Sequence, residues 1–250
     1  MFACERKSKI IEYLEQNGSA LVSTLSDLLG VVPETIRRDL KELEQQGILT
    51  RTHGGAFMER RETEYPVQVR VMKNTQEKEK LCMHAATFVE EGDMIFIDNS
   101  STLINLIRYI DKSLHVTILT NSIGILQEYA MQDNNNITMI CSGGVFNKAN
   151  MSLSGTTNEQ VSSDFFPNKA FVSCHGISSE YGFTDGNPME MSYKRNMIKL
   201  ASKAFFLLDH TKFEKLGPVR LGGLEICDVL ITDSALPAGF YPPFTIEICE

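Results

Sequence analysis

Several things are missing from this chain, and each absence removes a class of function. No two of its six cysteines, Cys4, Cys82, Cys141, Cys174, Cys227 and Cys249, form a Cys-x-x-Cys pair, so neither a zinc ribbon nor a dithiol redox motif is present. The five histidines are scattered and give no metal-ligand spacing, so no metal and no cofactor is expected. Most cysteines sit among apolar neighbours, as in Met139-Ile140-Cys141 and Phe171-Val172-Ser173-Cys174, which predicts reduced core thiols. No apolar run approaches the roughly 20 residues of a membrane span. The start, Met1-Phe2-Ala3-Cys4-Glu5-Arg6-Lys7, turns polar without the apolar core of a signal peptide. The expectation is a cytoplasmic chain with no membrane partner. Excess positive charge is missing too: the net charge is −8, and residues 1–57 hold seven Lys/Arg against eight Asp/Glu. Any nucleic-acid contact must rest on local placement of charge, not on bulk attraction. No internal repeat appears, and Asn134-Asn135-Asn136 reads as a loop.

What remains is ordinary globular material. With 250 residues, 42% hydrophobic and 22% charged, the chain has room for a small domain beside a medium one. Three short helical patterns precede residue 47. Ile10, Ile11 and Leu14 mark the first, from Lys7 to Gln16, ended by Asn17-Gly18. Val22, Leu25, Leu28 and Leu29 mark the second, closed by Gly30. Pro33 then opens a third, where proline is best tolerated, with Ile36, Leu40 and Leu43 on its apolar side. The short connection Gly30-Val31-Val32 is that of a helix-turn-helix.

The opposite side of the third helix carries Glu34, Thr35, Arg37, Arg38 and Lys41. In a helix-turn-helix this helix enters the major groove. Thr35 and Arg38 stand at i,i+3 and share a direction, and an arginine that grips guanine with two bonds discriminates by about 1–3 kcal/mol. Arg37 and Lys41, at i,i+4, suit adjacent phosphates. The bland alternative is a solvated face on which Arg38 pairs with Glu34 or Glu42. Next come two short strand-like stretches, Ile48-Leu49-Thr50-Arg51 and Ala56-Phe57, around His53-Gly54-Gly55. The glycines permit a tight hairpin tip close to a phosphate, with Arg51, His53 and Gly54 on that wing.

Here the chain resembles the DeoR family of bacterial regulators, on the strength of Thr35-Ile36-Arg37-Arg38-Asp39-Leu40, Leu43-Glu44, Gly47 and Arg51-Thr52-His53-Gly54-Gly55-Ala56. Pro33 departs from the pattern, which more often has a capping serine there.

Residues 58–74, with Glu59-Arg60-Arg61-Glu62 and Tyr65-Pro66, read as a partly helical linker between a domain at 1–57 and another at 75–250. The alternative is that they belong to the second domain. From residue 75 the pattern alternates. A helix over Gln76–Glu91 leads into Met94–Asp98, and further apolar runs follow at Val116–Thr120, Ile137–Cys141, Ala170–Cys174, Ala204–Asp209 and Val229–Asp233. Near-continuous apolar strands imply burial on both faces, hence a largely parallel, Rossmann-like α/β sheet. Ligands in such sheets bind beyond the carboxyl ends of the strands.

That rule selects Asp98 and Asn99-Ser100-Ser101-Thr102, predicted to open a helix through Leu103, Leu106, Ile107 and Ile110. Free amides, hydroxyls and a positive helix end would suit a phosphate, or simply cap the helix. Other strand ends add Asn121 and Ser122, Gly143 and Gly144, His175 and Gly176, Thr184, and Asp209 with Lys212. Glu190 and Lys194 share a helix face. Carboxylates and an amide would bond sugar hydroxyls, and Lys194 or Lys212 would add charge to the anion. Against this, His175 reads equally as a core histidine, Gly143-Gly144 as a turn and Asp209 as a loop cap.

The second segment also resembles the DeoR family, at Gly92-Asp93, Asp98 through Thr102, Thr120-Asn121-Ser122, Gly143-Gly144, Gly176-Ile177, Gly182-Phe183-Thr184 and Leu208-Asp209-His210-Thr211-Lys212-Phe213. Thr211 replaces the more usual serine. The resemblance implies a sensor domain sharing its fold with ribose-5-phosphate isomerase and glucosamine-6-phosphate deaminase. It further implies double-stranded operator DNA as partner, a phosphorylated sugar as effector, and repression relieved by that effector, in a homo-oligomer (dimer or tetramer). The alternative is a sugar-phosphate isomerase or deaminase with a DNA-binding appendix, using Asp98, Glu190 or Asp209 as base.

Overall fold

The computed structural model describes residues 2–58, 65–156, 160 and 163–249, with the side chain of Cys4 outside the description. The chain divides into two compact units, Met1–Lys73 and Asn74–Glu250. Among the described residues no helix is long and apolar enough to cross a membrane.

The first unit opens with α1 (Ala3–Asn17), β1 (Ser19–Leu21), α2 (Val22–Leu29) and α3 (Pro33–Gln45). Gly18 and Gly30 end α1 and α2 at φ 75° and 64°, donating their N–H groups to Leu14 and Ser26. Left-handed backbone of this kind costs glycine little. Then come β2 (Thr50–Arg51), β3 (Gly55–Phe57) and α4 (Val67–Val71). Ile10, Ile11, Leu14, Leu25, Ile36, Leu40 and Leu43 all lie in one core, as their spacing predicts, but Leu28 is exposed.

Two features depart from expectation. The wing has three strands, ordered β1-β3-β2, because Ser19–Leu21 pairs antiparallel with Gly55–Phe57. A Cβ at Gly55 would stand 2.0 Å from the Ala20 carbonyl oxygen, so this glycine serves strand approach rather than the hairpin tip. The stretch read as a linker is also partly structural. Val69 is fully buried in the first core, with Tyr65 and Met72 packed against it. Glu59-Arg60-Arg61-Glu62 lies outside the described residues.

α1 and α3 are fastened by a buried pair. Arg6 Nε and Nη2 reach Asp39 Oδ2 and Oδ1 at 2.5 and 3.0 Å, and Lys7 pairs with Glu42 beside them. Two parallel N–H···O bonds fix orientation as well as distance, so Asp39 sets how α3 rests on α1.

The second unit begins with α5 (Thr75–Ala86) and β4 (Met94–Ile97). It continues through β5 (Val116–Thr120), α6 (Ile123–Ala130), β6 (Ile137–Cys141), β7 (Val145–Asn147), β8 (Ser152–Ser154) and β9 (Lys169–Val172). β10 (Gly176–Ser178), β11 (Gly182–Asp185), α7 (Met191–Leu200), β12 (Lys203–Leu207), β13 (Val219–Gly222), β14 (Val229–Thr232) and β15 (Thr245–Ile248) follow. Seven strands form one sheet in the order β15-β14-β12-β9-β4-β5-β6, with every pairing parallel. Alternate residues feed two cores: Ile95, Ile97, Phe171 and Phe205 face one side, Phe96, Ala170, Val172 and Phe206 the other. That double burial is why these strands read as unbroken apolar runs.

The sequence reading misses β15 and the antiparallel sheet β10-β11-β13. It also places a helix after Asp98 where none forms: residues 101–105 are turns, followed by a single 3-10 turn at Leu106–Arg108. Leu103, Leu106, Ile107 and Ile110 are buried all the same, so their spacing reports burial and not helicity. Cys82, Cys174, Cys227 and Cys249 are buried as expected, whereas Cys141 is exposed at the end of β6. Burial pushes the Cys82 and Cys174 thiols up to about 12, which keeps them protonated.

Replacing Asp39 with Asn removes the charge that holds Arg6. The expected cost is on the order of 2 kcal/mol, a roughly thirtyfold faster amide exchange along α3. Exchange unchanged across Ile36–Leu43 would show that the pair does not anchor the helix.

Candidate functional site

Two surfaces gather the residues singled out above. On α3, Arg37, Arg38 and Lys41 are exposed and Thr35 is half-buried. Arg37 pairs with Glu34 at 3.0 Å on its own helix, an exposed contact that a phosphate would readily replace. Arg38 and Lys41 make no ion pair among the described residues. Neither pairing weighed for Arg38 forms: Glu34 holds Arg37 and Glu42 holds Lys7. On the wing, His53 and Gly54 are exposed, and the Gly54 carbonyl accepts from the amide of Val22. Arg51 is less free than expected. Its backbone N–H and its Nε reach Glu44 at 2.9 and 2.8 Å, tying the wing to α3.

The second surface is the edge where the parallel strands end. At its centre the buried Lys194 ammonium of α7 lies 2.5 Å from Asp98 Oδ2 and 2.7 Å from Asp185 Oδ2, and it also donates to the Ser173 carbonyl. Burial by itself lowers the pKa of this ammonium; the charges of Asp185 and Asp98 outweigh burial and hold it raised. Lys194, expected from the sequence to add charge to an anion, is thus held by two carboxylates and a carbonyl within the fold. Asp98 is engaged as well, accepting from the amides of Ser100 and Ser173. Glu190 takes three donors, Asn99 Nδ2 at 2.9 Å, Asn150 Nδ2 at 3.2 Å and Ser152 Oγ at 2.5 Å.

Other predicted residues are absorbed by the fold in the same way. Ser122 caps α6 by accepting from Ile125, and Thr184 Oγ1 donates to Gly176 and accepts from Gly217. Gly144 and Gly176 are needed for close approach, since a Cβ would stand 2.5 Å from Ser154 O and 2.2 Å from Lys215 O. Gly143, at φ 71°, turns the chain toward the β7–β8 hairpin. His175 is half-buried, donating its amide to Thr184. Asp209 accepts from the amide of Thr211, as a loop cap should. Beside it His210 Nδ1 lies 2.7 Å from Asp233 Oδ2, and that bond raises the histidine against burial, which lowers it.

The remaining polar groups at the edge are chemically divided. The amides of Ser101 and Thr102 meet no acceptor among the described residues, and Ser101 Oγ receives the Lys78 ammonium at 3.3 Å. These are donors and a buried cation, supplied by a turn and by α5 rather than by a helix end. Two acceptors complete the edge. Asp209 Oδ2 and Asn121 Oδ1 are buried and have no hydrogen-bond partner among the described residues. Lys212 is half-buried nearby in sequence, its amide donating to Asp209 O. Lys78 was missed in the sequence, although a signal was present. With Leu81, Cys82 and Ala85 it occupies the i, i+3, i+4, i+7 stripe that α5 buries.

Residues 73–234 match the family model of the DeoR C terminal sensor domain, and residues 6–62 that of the DeoR-like helix-turn-helix domain. The HTH-type transcriptional regulator GolR of Listeria innocua is 34% identical, over 98% of this chain and 96% of that protein. The L-fucose operon activator of Escherichia coli is 31% identical, over 91% of this chain and 94% of that protein. Among solved structures, ribose 5-phosphate isomerase A of Methanocaldococcus jannaschii matches with a TM-score of 0.41 and 17% identity, over 56% of this chain and 55% of that one. A likeness that loose transfers no chemistry.

Lys194→Met leaves Asp98 and Asp185 buried without a counter-charge. We expect a loss of about 3–5 kcal/mol, read from urea unfolding by circular dichroism. Wild-type stability would show that water already reaches the carboxylates.

Proposed function

Because the chain belongs to the DeoR family of DNA-binding transcriptional regulators, we propose that it controls a carbohydrate-utilisation operon as a repressor relieved by a phosphorylated sugar. The observation that carries this is the split character of the sensor edge. Free amides of Ser101 and Thr102 with the Lys78 ammonium suit an anion, while Asp209 Oδ2 and Asn121 Oδ1 lack the donors that sugar hydroxyls supply. An orphaned buried acceptor costs about 1–3 kcal/mol, which a hydroxyl-bearing ligand recovers on binding. Ser100 and Lys212 complete the proposed contacts. The E. coli relative, named for the L-fucose operon, supports the carbohydrate assignment.

In this reading Thr35 and Arg38 meet base edges, Arg37 and Lys41 meet phosphates, and Arg51, His53 and Gly54 follow the backbone from the wing. The protein acts in the cytoplasm, as a dimer or tetramer that sets two α3 helices on paired half-sites. The isomerase or deaminase alternative gains nothing from the edge. Asp98 is ion-paired and Glu190 is saturated with donors, which leaves Asp209 without a partner base.

A thermal-shift series with D-ribose 5-phosphate, D-glucose 6-phosphate, D-fructose 1-phosphate and the free sugars tests the sensor. At a hundredfold excess over Kd the effector should raise Tm by about 5 °C, and only when phosphorylated. Lys78→Met should abolish the shift; equal shifts from free sugars would refute the anion site. Arg38→Ala should weaken operator binding by about 1–3 kcal/mol, roughly five- to 150-fold, and relax base preference. Lys41→Ala should mainly lower the salt slope by about one. Unchanged operator affinity in Arg38→Ala, by fluorescence anisotropy, removes Arg38 from the reading face.

A further inference from the structure

Lys73 and Asn74 are consecutive, yet each is fastened to a different unit. The Lys73 ammonium pairs with Glu15 on α1 and lies 4.8 Å from the centre of the Tyr65 ring. Asn74 has φ 50° and ψ 45°, left-handed values that asparagine tolerates better than most residues. Its Nδ2 donates to Asp209 Oδ1 at 3.2 Å and to Thr211 Oγ1 at 3.3 Å. One peptide unit, with Cα atoms about 3.8 Å apart, separates an anchor in the first unit from an anchor in the second. The two anchors are therefore joined directly through the backbone.

The Asp209 carboxylate has two oxygens with different duties. Oδ1 carries Asn74 together with the amide and hydroxyl of Thr211. Oδ2 is buried and unpartnered among the described residues. Both belong to one rigid plane. A hydroxyl bonded to Oδ2 fixes the rotation of that plane and draws charge from Oδ1, and in a low-dielectric setting such changes pass along a chain of bonds.

We propose that Asn74 is a positioning residue, through which occupancy at Asp209 Oδ2 is passed to the junction and so to the DNA-reading unit. The proposal rests on the sensor-edge reading above and adds its route. An occupant works only by favouring one setting of the Asn74–Asp209 contact over another, since equal affinity for both shifts nothing.

The full-length protein is tested in two arms. The first needs no ligand: hydrogen exchange over residues 67–78 is compared in wild type, Asn74→Asp and the exchanged pair Asn74→Asp with Asp209→Asn. Asn74→Asp sets carboxylate against carboxylate and should speed exchange at the junction at least about threefold, while the exchanged pair should restore it. Unchanged exchange in the single variant, or no restoration in the pair, overturns the proposal. The second arm measures operator affinity with and without each of the three sugar phosphates named above. In wild type the active probe should change operator affinity by roughly tenfold or more. Asn74→Gly, which keeps the left-handed backbone, should bind that probe within about threefold of wild type yet show a change under about twofold. Undiminished coupling in Asn74→Gly also overturns the proposal. If none of the three binds wild type, the sugar-phosphate reading fails, and the exchange arm still decides whether the contact holds the junction.

Discussion

A single buried ammonium organises the sensor edge. Lys194 reaches from α7 to Asp98 at the end of β4, to Asp185 at the end of β11 and to the Ser173 carbonyl after β9. Three chain segments are thereby held around one positive charge. Desolvating such a charge is expensive, and two carboxylates must stay beside it to offset the cost. Asp98 in turn accepts the amide of Ser100, which shapes the turn that follows. In that turn the amides of Ser101 and Thr102 meet no acceptor among the described residues.

The parallel sheet supplies the rest of the arrangement. All its strands end on the same side, so Asp98, Asn121, Ser173 and Asp209 reach one edge from four different strands without any local sequence motif joining them. Among the polar groups there, those bonded within the fold are rigid, and those left unbonded define what an incoming molecule must provide. Among the described residues the amides of Ser101 and Thr102 meet no acceptor, and Asp209 Oδ2 and Asn121 Oδ1 meet no donor.

Much of this was legible in the sequence. The three N-terminal helices, the proline start of α3 and the parallel strands followed from spacing and from runs buried on two faces. Other features were not, for identifiable reasons. β1 has three residues, too few to show alternation, and only the glycine at 55 hints at its neighbour. The residues after Asp98 carry helical spacing, yet they fold as turns because tertiary burial alone satisfies their apolar side chains. Residue type did not separate Lys194 from Lys78: both are lysines on helices. Lys194 is held by two carboxylates, and one of them, Asp185, reaches it from a hairpin strand that the pattern did not reveal.

The three-stranded wing carries one more implication. Its central strand, β3, is pressed against β1 at Gly55, while β2 is bound through Arg51 to Glu44 of α3. The hairpin is thus not a free arm but part of the same solid body as the helix pair. A duplex docking on so fixed a body would have to supply the adaptation itself, at a deformation cost that depends on its own sequence.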